Sequence, residues 1–320
     1  MNRREWLAAA AALGITPAMA QRFAQRPVRL VVPFPPGGAI DAMARPIALA
    51  LGTELGQAVV VENRPGSGGS IGATQVARAP ADGHTLLAAT SATHGANPSL
   101  FAKLSYDPLA DFEFVSLWGS VPNVLVVPTA SSLRNVNDLV ERARREPGRL
   151  TYSSAGVGTS LHLSGVLFER VAGVKLLHIP YKGGAPAMLD LLGGNVDMQF
   201  DTVSVSLPNL RAGKLRALAV AASERHFALP DVPTFAELGL RGVEAATWAG
   251  TVVAKGTPVA ALEELRAAHV KVLAERSVQD TLRGNGVQLL ARSGDAFRQF
   301  ASTEMRRWAD VVKDAGITPE

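Results

Sequence analysis

The chain has no cysteine in its 320 residues. That excludes a disulfide framework, thiolate zinc sites, iron–sulfur clusters and thiol nucleophiles, and a lipid anchor on an N-terminal Cys is not expected. Its six histidines, His84, His94, His162, His178, His226 and His269, show no HxxxH or comparable spacing, so no metal site is expected. There is no Walker phosphate loop and no GxGxxG after the first strand, so no nucleotide and no cofactor is expected. Lys and Arg form no block and no aromatic-interleaved stretch, and the formal net charge is only +4. Nucleic acid is therefore not an expected partner. Aromatic residues make up 6% of the chain. Beyond residue 20 no run of about 18 uncharged apolar residues occurs, so no membrane span is expected. No repeat of about 20 to 50 residues is seen.

The N-terminus is a different kind of segment. Arg3 and Arg4 precede a short apolar run over 6–15 and the triplet Ala18-Met19-Ala20. A basic start, apolar centre and A-x-A end predict a secretory signal over 1–20, cut between Ala20 and Gln21. Arg3-Arg4-Glu5-Trp6-Leu7 also resembles a twin-arginine signal. The expected compartment is the bacterial periplasm. About 300 remaining residues suffice for two domains, each with a core.

Hydrophobic periodicity alternates between strand and helix. Strands are predicted at 28–32, 58–61, 85–89, 121–128, 151–154, 176–179, 198–200, 215–221 and 247–254. Helices are predicted at 39–55, 71–79, 139–145, 161–172, 185–192, 259–275 and 295–315. This order predicts an α/β chain of mainly parallel sheets flanked by helices. Ligands of such sheets bind beyond the carboxyl ends of the strands. Three Gly-rich turns fall there, at 33–38, 66–69 and 155–158, and they are spread over both halves of the chain. The expectation is a cleft between two lobes, 26–124 plus 247–320 and 125–246.

Pro33-Phe34-Pro35-Pro36-Gly37-Gly38 joins a strand to a helix. Glycines let backbone N–H groups approach a ligand, and the helix start adds unpaired donors and partial positive charge. Such a unit suits a carboxylate or phosphate. Thr159 and Ser160 open a second helix in the same way, with hydroxyls added. His162, in that helix's first turn, is expected to pack or orient the turn. Asp41 is expected to fix the first turn by accepting backbone N–H groups, because a carboxylate facing the site would repel an anion. Ser91, Thr93, Asp201 and Thr202 follow strands and are further candidates. Asp201 would select a ligand bearing an amino group, or keep strong acids out.

These segments resemble the receptors of tripartite tricarboxylate transporters, the Bug or TctC-like family. The likeness runs in order through Pro33 to Gly38 with Asp41, Glu62-Asn63-Arg64-Pro65-Gly66 with Gly68, Gly69 and Gly72, and Asp82-Gly83-His84-Thr85-Leu86. It continues through Tyr152 to Leu163, then Pro180-Tyr181-Lys182-Gly183-Gly184, Asp190 to Gly194 with Asp197, and Arg211 to Ala219. The resemblance implies a two-lobed periplasmic-binding-protein fold of type II kind and a receptor rather than an enzyme. The ligand, a small organic mono- or dicarboxylate, would lie between the turn after the first strand and the Gly-Thr helix start. The ligand-binding set expected from the resemblance and the helix-start argument together is Phe34, Pro36, Gly37, Gly38, Ala39, Asp41, Ser91, Thr93, Gly156, Gly158, Thr159, Ser160, Asp201 and Thr202. The implied partners are membrane transporter subunits, with a sensor kinase ectodomain as the alternative, and the receptor is expected to be a monomer. An enzyme reading also exists: Gly68-Gly69-Ser70-Ile71-Gly72 fits G-x-S-x-G between strand and helix, which would make Ser70 a hydrolase nucleophile.

Overall fold

The computed structural model describes residues 26–317. The expected signal, 1–20, lies outside the described residues. The chain opens with β1 (Val28–Val32), α1 (Ala39–Leu55), β2 (Val59–Asn63), α2 (Ser70–Ala77) and β3 (Thr85–Thr90). β1 pairs in parallel with β2 on one edge and with β3 on the other. α1 exists because Ile40, Met43, Ala44, Ile47, Ala48, Leu51 and Leu55 recur at helical spacing and are all buried. It stops at Gly56, whose φ of +67° is the left-handed cap that glycine adopts without a Cβ clash.

After the short α3 (Asn97–Leu100) comes β4 (Phe112–Pro128), a strand of 17 residues that serves both lobes. Over 112–122 it pairs antiparallel with β9 (Ala246–Ala254), which in turn pairs antiparallel with β3. From Asn123 onward its partners are β7 (Met198–Thr202) and β8 (Leu215–Val220), both antiparallel. The second lobe is built from α4 (Val136–Arg145), β5 (Thr151–Ser154), α5 (Ser160–Ala172), β6 (Leu177–Pro180), α6 (Gly184–Leu192), β7, α7 (Val203–Arg211) and β8. There β5 runs parallel to both β6 and β7. The resulting path is β2-β1-β3-β9-β4-β7-β5-β6. Each lobe is therefore α/β, with parallel strands on its outer side and antiparallel pairing where β4 and β9 pass between lobes.

The chain closes with α8 (Val259–Ala274), α9 (Arg276–Gly284), β10 (Gln288–Ser293) on the edge of β4, and α10 (Gly294–Asp314). α10 bridges the lobes. Phe297 and Ala301 join the core around Phe112, Phe114 and Trp248, whereas Trp308 and Val312 join the core around Leu163, Leu167 and Phe168. Arg170 and Asp314 form an ion pair at 3.1 Å near its end. No helix among the described residues is long and apolar enough to cross a membrane.

The periodicity reading has no helix where α3 and α9 stand, and three further elements depart from it. β4 begins at Phe112 rather than 121, because its early register is shifted twice, around Ser116 and Gly119, which breaks the alternation that marks a strand. α7 carries Pro208 and a V-S-V-S alternation that imitates a strand. β10 is irregular, with Ala291 at φ +45° inside a register shift.

Candidate functional site

The sheet order brings the carboxyl ends of β1, β3, β5 and β7, the turn after β6 and the start of β9 to one place between the lobes. A small cavity of about 50 Å³ lies there. From the first lobe it is walled by Phe34, Pro35 and Pro36 of the β1–α1 turn, Gly38, Ala39 and Ile40 at the start of α1, Thr90, Ser91 and Ala92 after β3, and Thr247 of β9. The second lobe supplies Ala155 and Thr159 between β5 and α5, Ser160 and Leu161 at the start of α5, Gly183, Gly184 and Ala185 around the start of α6, Asp201 and Thr202 at the end of β7, and Val205 in the first turn of α7.

Four helix N-termini thus converge, one from the first lobe and three from the second. Gly38, Gly183 and Thr202 occupy the cap positions of α1, α6 and α7, and none of them makes a side-chain cap hydrogen bond. The orphan N–H groups of these first turns are left to whatever fills the cavity. α5 differs. Thr159 caps it, its hydroxyl accepting from the His162 N–H at 3.4 Å and donating to the Gly156 carbonyl at 2.7 Å. Among the wall residues none is Lys, Arg or His, and the one ionisable side chain is Asp201. An anion here would be held by helix ends and hydroxyls, not by a cation.

The floor is a hydroxyl and amide chain that crosses between lobes. Ser160 Oγ and Thr247 Oγ1 are 2.7 Å apart, Thr247 Oγ1 donates to Asn123 Oδ1 at 3.4 Å, and Asn123 Nδ2 donates to Ser164 Oγ at 2.9 Å. All four residues are buried.

Nine of the fourteen expected residues wall the cavity: Phe34, Pro36, Gly38, Ala39, Ser91, Thr159, Ser160, Asp201 and Thr202. Five do not. Gly37, at φ +82°, turns its N–H toward Asp41. Asp41 points away from the cavity and organises the turn behind it. Its Oδ2 accepts from Gly37 N–H at 3.0 Å and Arg45 Nε at 2.8 Å, and its Oδ1 accepts from Arg45 Nη2 at 2.9 Å and Asn63 Nδ2 at 3.0 Å. The same Asn63 amide donates to the Phe34 carbonyl at 2.9 Å. Burial raises the Asp41 carboxyl, but the hydrogen bonds from Arg45, Asn63 and Gly37 outweigh it and hold the group below the ordinary range.

Thr93 is fully buried in the turn after β3. Its hydroxyl accepts from the Thr90 N–H at 3.0 Å and meets His94 Nδ1 at 3.0 Å, so none of it reaches the cavity. Gly156 and Gly158, at φ +124° and +81°, shape the β5–α5 turn rather than wall the site. The third Gly-rich turn, 66–69, also stands off the cavity: a Cβ on Gly69 would strike Thr93 and Pro33. His162 accepts from Gly158 N–H at 3.4 Å and stacks on His178, ring centroids 4.2 Å apart, which is the turn-orienting place expected for it.

Sequence reasoning missed Gly183, Gly184 and Ala185, although the Gly-Gly before a helix repeats the signal of Gly37-Gly38. It also missed Thr247 and Val205, which carry no local signal at all.

Asp201 is 1% exposed. Its Oδ2 accepts from Ser206 Oγ at 2.9 Å, while its Oδ1 is buried without a hydrogen-bond partner. Burial pushes this carboxyl up to about 7, against the Thr202 N–H, the Ser206 hydroxyl and the Gln199 amide, which act to lower it.

Residues 43–317 match the model of the tripartite tricarboxylate transporter family receptor. The chain is 42% identical over 317 residues to the UPF0065 protein of the tcbD–tcbE intergenic region of Pseudomonas sp. (strain P51), covering 98% of this chain and 94% of that one. Among solved structures it is similar to Rpa4515 of Rhodopseudomonas palustris with adipate, at TM-score 0.90 and 37% identity over 93% of this chain and 99% of that one. MatC (Rpa3494) from the same organism, with bound malate, gives TM-score 0.86 and 35% identity over 90% and 99%.

Proposed function

The chain belongs to the tripartite tricarboxylate transporter receptor family, and we propose that it captures a small organic carboxylate between its lobes in the periplasm and delivers it to membrane transporter subunits. The observation that carries this reading is the convergence of four helix N-termini, from both lobes, on one cavity without a cationic side chain. Each end offers N–H groups and partial positive charge to a carboxylate oxygen. A ligand touching both lobes favours the closed form and shifts the population toward it. That adipate and malate are bound by two relatives of this fold supports a dicarboxylate.

We place the exported form at the cut after Ala20 and the lobe boundaries where the ladder partners change, at Pro122–Asn123 and at the start of β9. On that division α10 belongs to both lobes, not to the first alone.

Calorimetric titration with adipate, malate, succinate, citrate and nicotinate tests the reading. Micromolar or tighter binding of an acid, one per chain, with a decrease in radius of gyration, is the expected result. No binding across the panel overturns it. Loss of uptake of the bound acid in a deletion strain would assign transport; unchanged uptake with altered gene induction would assign sensing through a kinase ectodomain.

Catalysis is not part of the proposal. Ser70 Oγ accepts from Asn97 Nδ2 at 3.1 Å, which engages the hydroxyl at the start of α2. Hydrolysis of activated esters that disappears in Ser70→Ala would overturn this.

A further inference from the structure

The helix ends explain why an anion enters this cavity; they do not explain Asp201. Its carboxyl is buried in the wall, Oδ2 is engaged by Ser206, and Oδ1 has no partner. Oδ1 faces the first turn of α6: a Cβ built on Gly184 would lie 3.5 Å from it. The carboxyl thus lies against the start of α6 in the wall of the cavity.

Among the described residues no cation is paired with it. The ionisable groups on the elements packed against β7 are engaged or exposed elsewhere. On α6, Asp190 binds Tyr181 and Asn195; on α7, Arg211 is exposed. On α5, His162 faces Gly158 and His178, Glu169 accepts from Leu176 N–H, and Arg170 pairs with Asp314. On β5, Tyr152 donates to the His162 carbonyl; on β4, Glu113 pairs with Lys255. Across the cavity, Asp41 is closed off by Arg45. An ionised Asp201 beside a bound carboxylate would be two like charges in one desolvated site, an arrangement that retains a proton.

We infer that Asp201 is a specificity-determining residue that binds the ligand in its protonated form, its Oδ1 hydroxyl donating to a ligand carboxylate oxygen, so that capture of a carboxylate above neutral pH takes up one proton from solvent. The proton is transferred from water or buffer to Asp201; no bond of the ligand changes. The position of the free carboxyl, about 7, makes that protonated form accessible near neutrality. A carboxylic acid here also disfavours a ligand whose only contact to this wall is an ammonium group, since that group needs the ionised form.

This inference rests on the carboxylate-receptor reading, and the experiment separates the two. The probes are adipate and malate, titrated calorimetrically into wild type, Asp201→Asn and Ser206→Ala between pH 5.5 and 8.5, in buffers of different ionisation enthalpy. For wild type the expectation is a flat affinity below pH about 6.5, a loss approaching tenfold per pH unit above about 7, and uptake close to one proton per ligand at pH 8.5. Asp201→Asn, which offers an N–H donor at every pH, should bind without pH dependence and without proton uptake. Ser206→Ala removes a donor to the ionised form, so its profile should move to more alkaline pH; a merely structural defect would lower affinity without moving the profile. Binding with wild-type affinity independent of pH, or proton release on binding, overturns the inference and leaves the receptor reading standing. Binding of neither acid at any pH overturns the inference for these acids, and failure of the wider carboxylate panel overturns the receptor reading with it.

Discussion

Gly183 faces Pro35 across the cleft so closely that a Cβ on Gly183 would lie 3.0 Å from two carbons of the proline ring. The first residue belongs to the turn before α6 and the second to the turn after β1, so the two lobes meet through a glycine. Gly183 also stands at φ +147°, which L side chains rarely adopt. Gly183→Ala should therefore hold the lobes apart and strain the turn. The expected loss in carboxylate binding is about 1–3 kcal/mol, the usual cost of overpacking. Small-angle scattering of the ligand-saturated variant checks it: a radius of gyration equal to that of the closed wild type would refute the contact.

Asp41 does its work from behind the cavity wall. Asp41→Ala removes the acceptor for Gly37 N–H and leaves Arg45 and Asn63 without their shared partner. Hydrogen bonds to a charged group carry about 1.5–3 kcal/mol each at most, and the half-exposed Arg45 retains water, so a loss of about 2 kcal/mol in stability is expected. The folded carboxyl lies below its ordinary value. Its contribution is present above the unfolded value and fades as pH falls through the folded one. Urea unfolding of wild type and variant should thus differ at pH 7 and converge in strong acid.

The sign is opposite for Asp201. Its folded value, about 7, lies above the 3.8 of an ordinary aspartate. Its contribution to stability is full below about pH 4 and lost as pH rises to about 7. Relative to Asp201→Asn, which does not titrate, the ligand-free wild type should lose up to about 4 kcal/mol over that window. Thermal unfolding at pH 4.5 and 8 measures the difference; equal slopes for the two proteins would place the carboxyl in water.

Trp308 is fully buried in the second lobe's core while Phe297, on the same helix, is fully buried in the first. Trp308→Ala should cost about 3–5 kcal/mol and uncouple the lobes. Two calorimetric transitions in place of one is the expected outcome.

Thr159→Ala tests a smaller device. The hydroxyl bonds to Gly156 and His162 and caps α5. A loss of about 1 kcal/mol in stability is expected, with Thr159→Ser restoring it.

The strand–turn–helix units at 28–55 and 151–172 were legible because their signals are local: apolar periodicity, a glycine at positive φ, a Thr at the cap. The inward or outward turn of a side chain was less so. Asp41 and Asp201 are both acids at strand–helix junctions, yet the first is tied to Arg45 four residues on and the second meets no cation among the described residues. Thr93 looked like Ser91, but the tight turn after β3 folds its hydroxyl back onto Thr90. Ser70 fitted a nucleophile motif, and only its neighbour Asn97, 27 residues on, shows what its hydroxyl does.

The amino-acid sequence by itself determined the alternation of strands and helices, the Gly-rich turns and the membership that their order implies, because each depends on residues within about one turn or strand of each other. The tertiary structure alone decided which helix ends share one cavity. Thr247 joins Ser160 from 87 residues away, and Gly183 meets Pro35 across nearly the whole length between the two lobes' glycine turns. Such contacts follow from sheet order and from β4 passing through both sheets, which no local periodicity encodes.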